Sequence, residues 1–372
     1  MPKIAVDAMG GDRAPGVVIE GVLLAHQELG VEIVLVGPPD IIATELAKHP
    51  GGGRQIAIAP ASQVVPMQES PSVALRKKDS SLRVAFELMK RGEADAVVSA
   101  GNSGAMMALG MVVLGTLSQV ARPAILVVVP SLGVGTVIVD AGANVDCKPK
   151  HLLQFGLMGS IYAGRVLGIA TPRVGVLSNG EEASKGTELT RAASALLGAT
   201  ELNYIGYVEG RDIFNGKVDV VVCDGFTGNV ALKTMEGVAS FAGEILKGAF
   251  RNNLSSKVGY LMSRKSLRAA YRKLDYAEYG GAPLIGLDGV AIVAHGGSSP
   301  LAIKSAIRLA RDAVDHEMNR HIAEALGDAD VAEVAKKEGL PRTLWDRFKA
   351  KIDSLGDKTA PRVGDDRRRS GE

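Results

Sequence analysis

Residues 97–104 read VVSAGNSG, and this stretch decides the fold class, because a short apolar strand runs directly into a glycine-rich polar turn and then a helix. The same order recurs at four more places, with a partial case at the start of the chain. These places are Val137–Asn144, Val174–Gly186, Val220–Asn229, Ala291–Pro300 and, at the start, Ile4–Asp12. Strands that alternate with helices in this way predict an α/β fold with a mainly parallel sheet.

The recurring turns also predict where a ligand binds. In a parallel α/β sheet such turns lie at the carboxyl edge of the strands, which is where ligands bind. Glycines let the backbone approach a ligand closely, and helix N-termini offer free N–H groups to an anion. The sequence therefore predicts one cleft that handles a phosphate-like group.

Composition narrows the class of protein. A chain of 372 residues can bury a large core, and a net charge of +2 gives no reason to expect nucleic acid as a partner. Cys147 and Cys223 are too few for a disulfide framework or a zinc site, so we expect a reducing cytoplasm. The chain starts as a strand from Lys3 and shows no signal-peptide pattern.

The segment from Ala96 to Val139 contains a single charged residue, Arg122, and superficially suggests a membrane span. Glycines and prolines divide it into pieces that are each too short to cross a bilayer. We therefore read it as a buried strand, a packed helix and two further buried strands.

A basic helical segment lies late in the chain, from Ser255 to Tyr276. Its pattern favours a membrane surface or an acidic partner, and it is equally compatible with a dimer-forming helix pair that has a solvated basic face. The residues assigned to this contact are Leu254, Lys257, Val258, Leu261, Arg264, Lys265 and Arg268. We expect one catalytic domain over 1–343, with this helical segment at about 230–276 inside it, and a largely disordered tail over 344–372.

The turn at Asn102, Ser103 and Gly104 is the best candidate for an anion site, although a simple capped helix start explains it equally well. The chain has no GxxxxGK[ST] motif for a nucleoside triphosphate. It also lacks a GxGxxG turn after the first strand, so dinucleotide binding is not supported.

Four aspartates close or follow predicted strands, namely Asp7, Asp12, Asp140 and Asp224. Carboxylates that converge there could bind a metal, or they could orient lysines and the backbone of the turns. No metal-binding spacing is present, so orientation is favoured.

Three further residues are candidates for chemistry. His295 ends a strand and is either a general acid or base or a hydrogen-bonded structural residue. Lys185 is either an anion-binding cation or a surface lysine, and Asn229 is either a helix cap or an oxyanion donor. No GxSxG elbow is present, and neither cysteine has the setting of a nucleophile.

Several longer strings resemble a known family. They are AVDAMGGDRAPG at Ala5–Gly16, RKKDSS at Arg76–Ser81, SAGNSGA at Ser99–Ala105, DAGAN at Asp140–Asn144, DGFTGN at Asp224–Asn229 and AHGGSS at Ala294–Ser299. Together they resemble the bacterial phosphate acyltransferases that begin phospholipid synthesis, over about residues 3–325.

The resemblance implies transfer of a long-chain acyl group from acyl carrier protein to inorganic phosphate, which gives acyl phosphate. It implies an α/β/α sandwich related to isopropylmalate dehydrogenases and phosphate acetyltransferases, with a protruding helical segment. It also implies a cytoplasmic homodimer that associates peripherally with the inner face of the membrane, and we infer that it hands its product to a membrane glycerol-3-phosphate acyltransferase. We expect neither a metal nor a cofactor.

This chemistry needs no protein nucleophile, because phosphate attacks and a thiolate leaves. The site must position phosphate and stabilise an oxyanion, and Lys185, Asn229 and His295 are the predicted catalytic residues. The predicted substrate-binding residues are Asp7, Gly10, Gly11, Lys78, Asn102, Ser103, Gly104, Asp140, Asn144 and Ser298. Two alternatives stay open: a short-chain phosphate acetyltransferase that uses coenzyme A, and a non-catalytic membrane-associated scaffold.

Overall fold

One sheet of eleven strands runs through the computed structural model of the protein. The strands are β1 (Lys3–Asp7), β2 (Glu32–Gly37), β3 (Ala57–Pro60), β4 (Ala96–Ser99), β5 (Ala124–Val129), β6 (Thr136–Val139), β7 (Val174–Leu177), β8 (Tyr204–Val208), β9 (Val220–Val222), β10 (Ala282–Ile285) and β11 (Val290–Val293). Their order across the sheet is β3-β2-β1-β4-β11-β10-β5-β6-β9-β7-β8.

Helices connect and flank these strands. They are α1 (Gly16–Leu29), α2 (Pro39–Leu46), α3 (Pro71–Ala74), α4 (Ser81–Lys90), α5 (Ser103–Val113), α6 (Pro149–Arg165), α7 (Glu188–Gly198), α8 (Gly225–Arg251), α9 (Leu254–Leu274), α10 (Pro300–Asp315) and α11 (Met318–Asp328), with a 3₁₀ turn at Gly210–Ile213. The predicted α/β architecture with a mainly parallel sheet is therefore confirmed.

The structure describes residues 1–49, 56–251, 254–274 and 280–328, and of Leu254, residues 268–274 and Asp328 it describes the backbone alone. Residues Met1–Asp328 form one compact unit. The predicted domain end at residue 343 and the predicted disorder over 344–372 lie outside the described residues.

Strand direction reverses inside the sheet. Strands β3, β2, β1, β4 and β11 run parallel to one another, whereas β10 is antiparallel to both of its neighbours, β11 and β5. Strand β5 is in turn antiparallel to β6, which runs parallel with β9, β7 and β8. The carboxyl ends of β1, β4 and β11 therefore lie on one edge of the sheet, and those of β6, β7 and β9 lie on the other edge.

The prediction of a single carboxyl edge was wrong for this reason. The reversal results from three successive antiparallel pairings, β11 with β10, β10 with β5 and β5 with β6. The first and the third are joined by short glycine-containing turns. Buried apolar strands look alike in sequence whether their neighbours are parallel or antiparallel, so the direction could not be read from the apolar runs.

Buried apolar residues cover the central strands. Around β1, β4 and β11 the core includes Phe86 and Leu82 of α4 and Met106 and Leu109 of α5. The apolar segment that follows Ala96 forms β4, α5, β5 and β6, as predicted. Within the described ranges, no helix is both long enough and apolar enough to cross a membrane.

Helices α8 and α9 pack against each other, and the rings of Phe250 and Tyr260 are in contact in a tilted arrangement, with 5.4 Å between centroids and 52° between planes. Large apolar side chains stay exposed on both helices, namely Val230, Val238, Phe241, Ile245, Leu246, Val258, Leu261 and Met262. Lys257, Arg264 and Lys265 are exposed on α9 as well. The side chains of Leu254 and Arg268 lie outside the described part of the chain.

The start of α8 gives a direct test of packing. A Cβ added to Gly228 would overlap the carbonyl oxygen of Asp140, whereas a Cβ added to Gly237 on the same helix would meet nothing. We expect Gly228→Ala to lower the free energy of unfolding by about 1–3 kcal/mol or more. Gly237→Ala should raise it by about 0.5–1 kcal/mol, because alanine favours a helix. Urea unfolding of both variants measures the difference, and equal shifts would contradict this packing.

Candidate active site

Asp7 ends β1 beneath a glycine turn. Its carboxylate is buried, with Oδ2 accepting from the Ser99 hydroxyl at 2.7 Å and Oδ1 accepting from the Met9 N–H at 3.1 Å. Ser99 ends β4, and its oxygen also accepts from the Gly101 N–H at 3.0 Å. Burial raises the pKa of Asp7, and hydrogen bonds from Ser81 and Ser99 oppose that rise. The carboxylate thus holds the turns after β1 and β4 together from below.

Gly10 is required where these two turns meet. A Cβ on Gly10 would lie 2.7 Å from both Asp7 Oδ2 and Ser99 Oγ, and 2.8 Å from the Gly101 nitrogen. Such distances leave no room for a side chain, so the two turns can approach closely only with glycine there.

The turn after β11 joins the same group. The Asp12 N–H donates to the Gly296 carbonyl at 2.9 Å. The Arg13 guanidinium donates to the carbonyls of Gly297 and Ser298 at 2.9 and 2.7 Å. A small pocket, which we call the glycine pocket, lies here, and its lining combines turn residues with apolar side chains. The lining residues are Gly10, Gly11, Arg13, Ala100, Gly296 and Ser298, together with Ala14, Val17, Val18 and Ile303.

Four helices begin at or beside the glycine pocket. Helix α1 follows the Gly10–Gly11 turn, α4 starts at Ser81 beside Asp7, α5 follows Gly101, and α10 follows Ser298. No acidic residue lies in the first turn of any of these four helices. Beside α4 the Asp7 carboxylate already lies at the positive end of the dipole, whereas the first turns of α1, α5 and α10 contain no acidic residue, and their positive ends favour an anion.

The other residues predicted near this pocket differ in exposure. Ser103, Gly104 and Lys78 are exposed, whereas Ser298 is buried. His295 is exposed, and its Nδ1 accepts from the Gly297 N–H at 3.1 Å, so the ring is tied to its own turn.

Asp140 organises a second group, which we call the Asp140 cluster. It is fully buried, and it directly follows a cis peptide bond from Val139. Its Oδ1 accepts from the N–H groups of Ile125 and Ala143 at 3.0 Å each and of Gly142 at 3.2 Å. Its Oδ2 accepts from the Asn144 N–H at 2.7 Å and from Asn144 Nδ2 at 2.9 Å. Burial raises the pKa of Asp140, and these donors oppose that rise.

Helix α8 closes over the Asp140 cluster. Asp224 caps the helix, since its carboxylate accepts from the N–H and the hydroxyl of Thr227 at 2.9 and 2.8 Å. One turn in, Asn229 Nδ2 lies 3.4 Å from the Ala141 carbonyl, and a Cβ on Gly142 would come within 2.8 Å of that amide nitrogen. Asn229 is nevertheless largely exposed, so its amide lies at the surface of the DAGAN turn.

Lys185 lies in the loop that follows β7, and β7 is the neighbour of β9 in the sheet. Its side chain is exposed. Asn179 Oδ1 accepts from the Gly186 N–H at 3.0 Å, and Gly186 has a positive φ of 80°, so the loop has a fixed turn. Lys185 and Asn229 therefore belong to the edge of the sheet that carries the Asp140 cluster, and His295 belongs to the edge that carries the glycine pocket.

One set of acidic side chains has the spacing of a metal site. Oxygens of Glu181, Glu209 and Asp212 lie within 4.8 Å of one another. Lys217 already lies among them, with its ammonium 2.7 Å from Glu181 and 4.0 Å from Asp212. A lysine in that position supplies the positive charge that the carboxylates require, so this set is explained as an ion-pair network.

Three residues of these groups were not singled out from the sequence. Ser99 could have been found, because it is the polar residue that ends an otherwise apolar strand. Arg13 and Ser81 bond to partners far away in the chain, and nothing in their immediate neighbours indicates those partners.

Comparison with known proteins assigns the family. Residues 2–321 match the family model described as "Fatty acid synthesis protein". The chain is 53% identical over 340 residues to the "Phosphate acyltransferase" of Citrifermentans bemidjiense, covering 91% of this chain and 97% of that one. It is 56% identical over 325 residues to the one from Geotalea uraniireducens, covering 87% and 94%. The chain therefore belongs to the phosphate acyltransferase family, which is a family of acyltransferase enzymes.

Solved structures show the same fold at low identity. A phosphotransacetylase from Streptococcus pyogenes superposes with a TM-score of 0.59 and 15% identity, covering 84% of this chain and 94% of that one. A second phosphotransacetylase, from Staphylococcus aureus, gives a TM-score of 0.51 at 15% identity and covers 87% and 94%. The predicted likeness to the phosphate acetyltransferase fold is thereby confirmed.

We expect His151 to make the stability of the protein depend on pH. It is buried at the start of α6, its Nδ1 accepts from the Lys148 N–H at 3.2 Å, and burial together with Arg122, Lys148 and Lys150 lowers its pKa from 6.5 to about 4. Between these two values the unfolded chain binds more protons, so the free energy of unfolding should fall as the pH drops from 6.5 towards 4.

The variant His151→Asn keeps an acceptor but does not titrate. We expect its free energy of unfolding to fall less than that of the wild type over the same range. Urea unfolding at pH 7 and pH 5 measures both proteins, and parallel losses would refute the role of His151.

Proposed function

We propose that the protein transfers a long-chain fatty acyl group from acyl carrier protein to inorganic phosphate, with acyl phosphate as the product for phospholipid synthesis. Membership of the phosphate acyltransferase family supports phosphate acyl transfer, and the donor and product are the finer part of the proposal. The geometric observation that supports it is that α1, α5 and α10 follow the turns at Gly10, Gly101 and Ser298 with no acidic residue in their first turns.

Phosphate fits the glycine pocket on electrostatic grounds. Backbone N–H groups and helix dipoles bind a doubly charged anion without a dedicated cation. Arg13 lines the pocket and supplies positive charge there, and Lys78 is exposed on the segment whose Met67 contacts Gly296. We infer that Gly10, Gly11, Ser103, Gly104 and Ser298 form the phosphate side of the site.

We assign oxyanion stabilisation to Lys185 and Asn229, and this assignment requires that the edge carrying the Asp140 cluster and the edge carrying the glycine pocket face the same substrate. Acyl transfer to phosphate develops negative charge on the thioester carbonyl oxygen, and the leaving thiolate needs no strong acid. An ammonium and an amide N–H are suitable donors for that oxygen. Asp140 and Asn144 hold the backbone on which Asn229 rests, so their contribution is to position it.

The helices α8 and α9 suit contacts outside the chain. Exposed apolar residues such as Phe241 and Leu261 lie beside exposed cations such as Lys257 and Lys265. We propose that this surface serves a homodimer and peripheral attachment to the inner face of the membrane, where the product passes to a glycerol-3-phosphate acyltransferase. The acidic surface of the carrier protein is a further partner for the same cations.

The reaction is tested with palmitoyl-acyl carrier protein and inorganic phosphate. We expect release of free carrier protein that requires phosphate, with hydroxamate formed in step when hydroxylamine traps acyl phosphate. Acetyl-coenzyme A is the comparison substrate. Turnover of acetyl-coenzyme A alone would favour a short-chain acetyltransferase, and no turnover of either by the folded protein would favour a scaffold.

The oxyanion assignment is tested by Lys185→Ala and Asn229→Ala. Loss of one well-placed donor should lower kcat by about 10²–10³-fold while the fold is retained. Lys48→Ala is a matched control, because Lys48 is exposed and paired with Glu45 on α2. Rates like those of the wild type in both site variants would remove Lys185 and Asn229 from the mechanism.

A further inference from the structure

The loop from Gln63 to Ser80, here called the 63–80 loop, is closed at its base. The Gln63 N–H donates to the Asp79 carbonyl at 2.9 Å, and the Ser81 N–H donates to the Gln63 carbonyl at 3.0 Å. Inside the loop, Lys77 Nζ donates to the Val64 carbonyl at 2.8 Å and to the Glu69 carboxylate at 2.7 Å. The loop is therefore held in shape by its own internal hydrogen bonds, and it continues directly into α4.

The 63–80 loop rests on two turns of the glycine pocket. The side chain of Pro71 packs at Gly104, where an added Cβ would lie 3.2 Å from its Cγ. The side chain of Met67 packs at Gly296, where an added Cβ would lie 2.7 Å from its Cε. The loop thus touches both the first turn of α5 and the turn after β11.

Asn102 fastens the loop to α5. Its Nδ2 donates to the carbonyls of Met67 and Glu69 at 2.7 and 2.8 Å. Its Oδ1 accepts from the Ala105 N–H at 2.9 Å and so caps the helix. The amide makes all three bonds at once, and a side chain with two N–H donors and one acceptor at this length is what the position requires.

We propose that Asn102 is a positioning residue for phosphate acyl transfer, which ties the 63–80 loop over the glycine pocket. Lys77 is turned into the loop, whereas its neighbours Arg76 and Lys78 are exposed. The tether fixes the loop that carries these two exposed cations, and Met67 of the same loop contacts Gly296 of the glycine pocket. The effect of Asn102 on phosphate binding rests on the proposed function, whereas its effect on the position of the loop does not.

The variants Asn102→Ser and Asn102→Asp separate the cap from the tether. Serine and aspartate both cap helices well, so α5 keeps its N-terminus. Aspartate has no N–H to donate, and the serine side chain is too short to reach both carbonyls. Serine adds no charge, so it isolates the tether from electrostatic effects on phosphate.

Thr187→Ala is the matched control, because it removes a cap from α7, where Thr187 Oγ1 accepts from the Thr190 N–H at 3.2 Å.

Limited trypsin digestion measures how often the loop opens and needs no assay of activity, because the loop contains the cleavage sites Arg76, Lys77 and Lys78. Loss of two hydrogen bonds should increase opening, and hence cleavage there, by about 10–30-fold in both Asn102 variants. Thr187→Ala should be cleaved there at the wild-type rate. In Asn102→Ser the KM for phosphate should rise several-fold with a smaller change in kcat.

Three outcomes distinguish a tether of the loop from a direct ligand of phosphate. Wild-type cleavage and wild-type KM in Asn102→Ser would overturn the tether. A raised KM with wild-type cleavage would make Asn102 a direct ligand of phosphate and would also overturn it. Faster cleavage in the Asn102 variants would uphold the tether even if the wild-type protein made no acyl phosphate, in which case the proposed function alone fails.

Discussion

Two buried carboxylates organise the turns on which the candidate site depends. Asp7 and Asp140 each end a strand or directly follow one, and each is followed by a glycine turn whose N–H groups bond to its oxygens. A buried carboxylate without donors would be strongly unfavourable, so the turns must adopt the conformations that supply those donors. The geometry of both groups therefore follows from satisfying these two side chains.

The reversal of strand direction sets a second constraint, because it puts the two groups on opposite edges of the sheet. Sheet twist of the usual size would counteract this separation. Neighbouring strands in sheets rotate by about 20–25° on average, and β1 and β9 are six steps apart in the sheet order, which would give a total of about 120–150°. At that twist, strands that are antiparallel by pairing would point within about 30–60° of the same direction. A strongly twisted sheet can thus turn both carboxyl ends towards one substrate.

The sequence was sufficient for the elements whose signals are local. A serine followed by a proline is a local signal for the start of a helix, and α10 begins at such a pair, with Ser299 Oγ accepting from the Ala302 N–H at 3.2 Å. Strand direction could not be predicted in the same way, because an apolar run such as β5 has no direction of its own. The contacts of Arg13 were also beyond reach, since its partner carbonyl at Ser298 lies 285 residues away.

The placement of both carboxylates beneath the turns has an electrostatic consequence for an anionic substrate. A carboxylate 4 Å from one phosphate charge would repel it by about 1 kcal/mol in water and by about 4 kcal/mol near a protein surface. Asp7 and Asp140 reduce this penalty, because the hydrogen-bond donors around their oxygens partly offset the negative charge. Burial raises the pKa of both groups, and these donors oppose that rise. The two aspartates can therefore order N–H groups for the proposed phosphate site at a lower electrostatic cost than unpaired carboxylates would have.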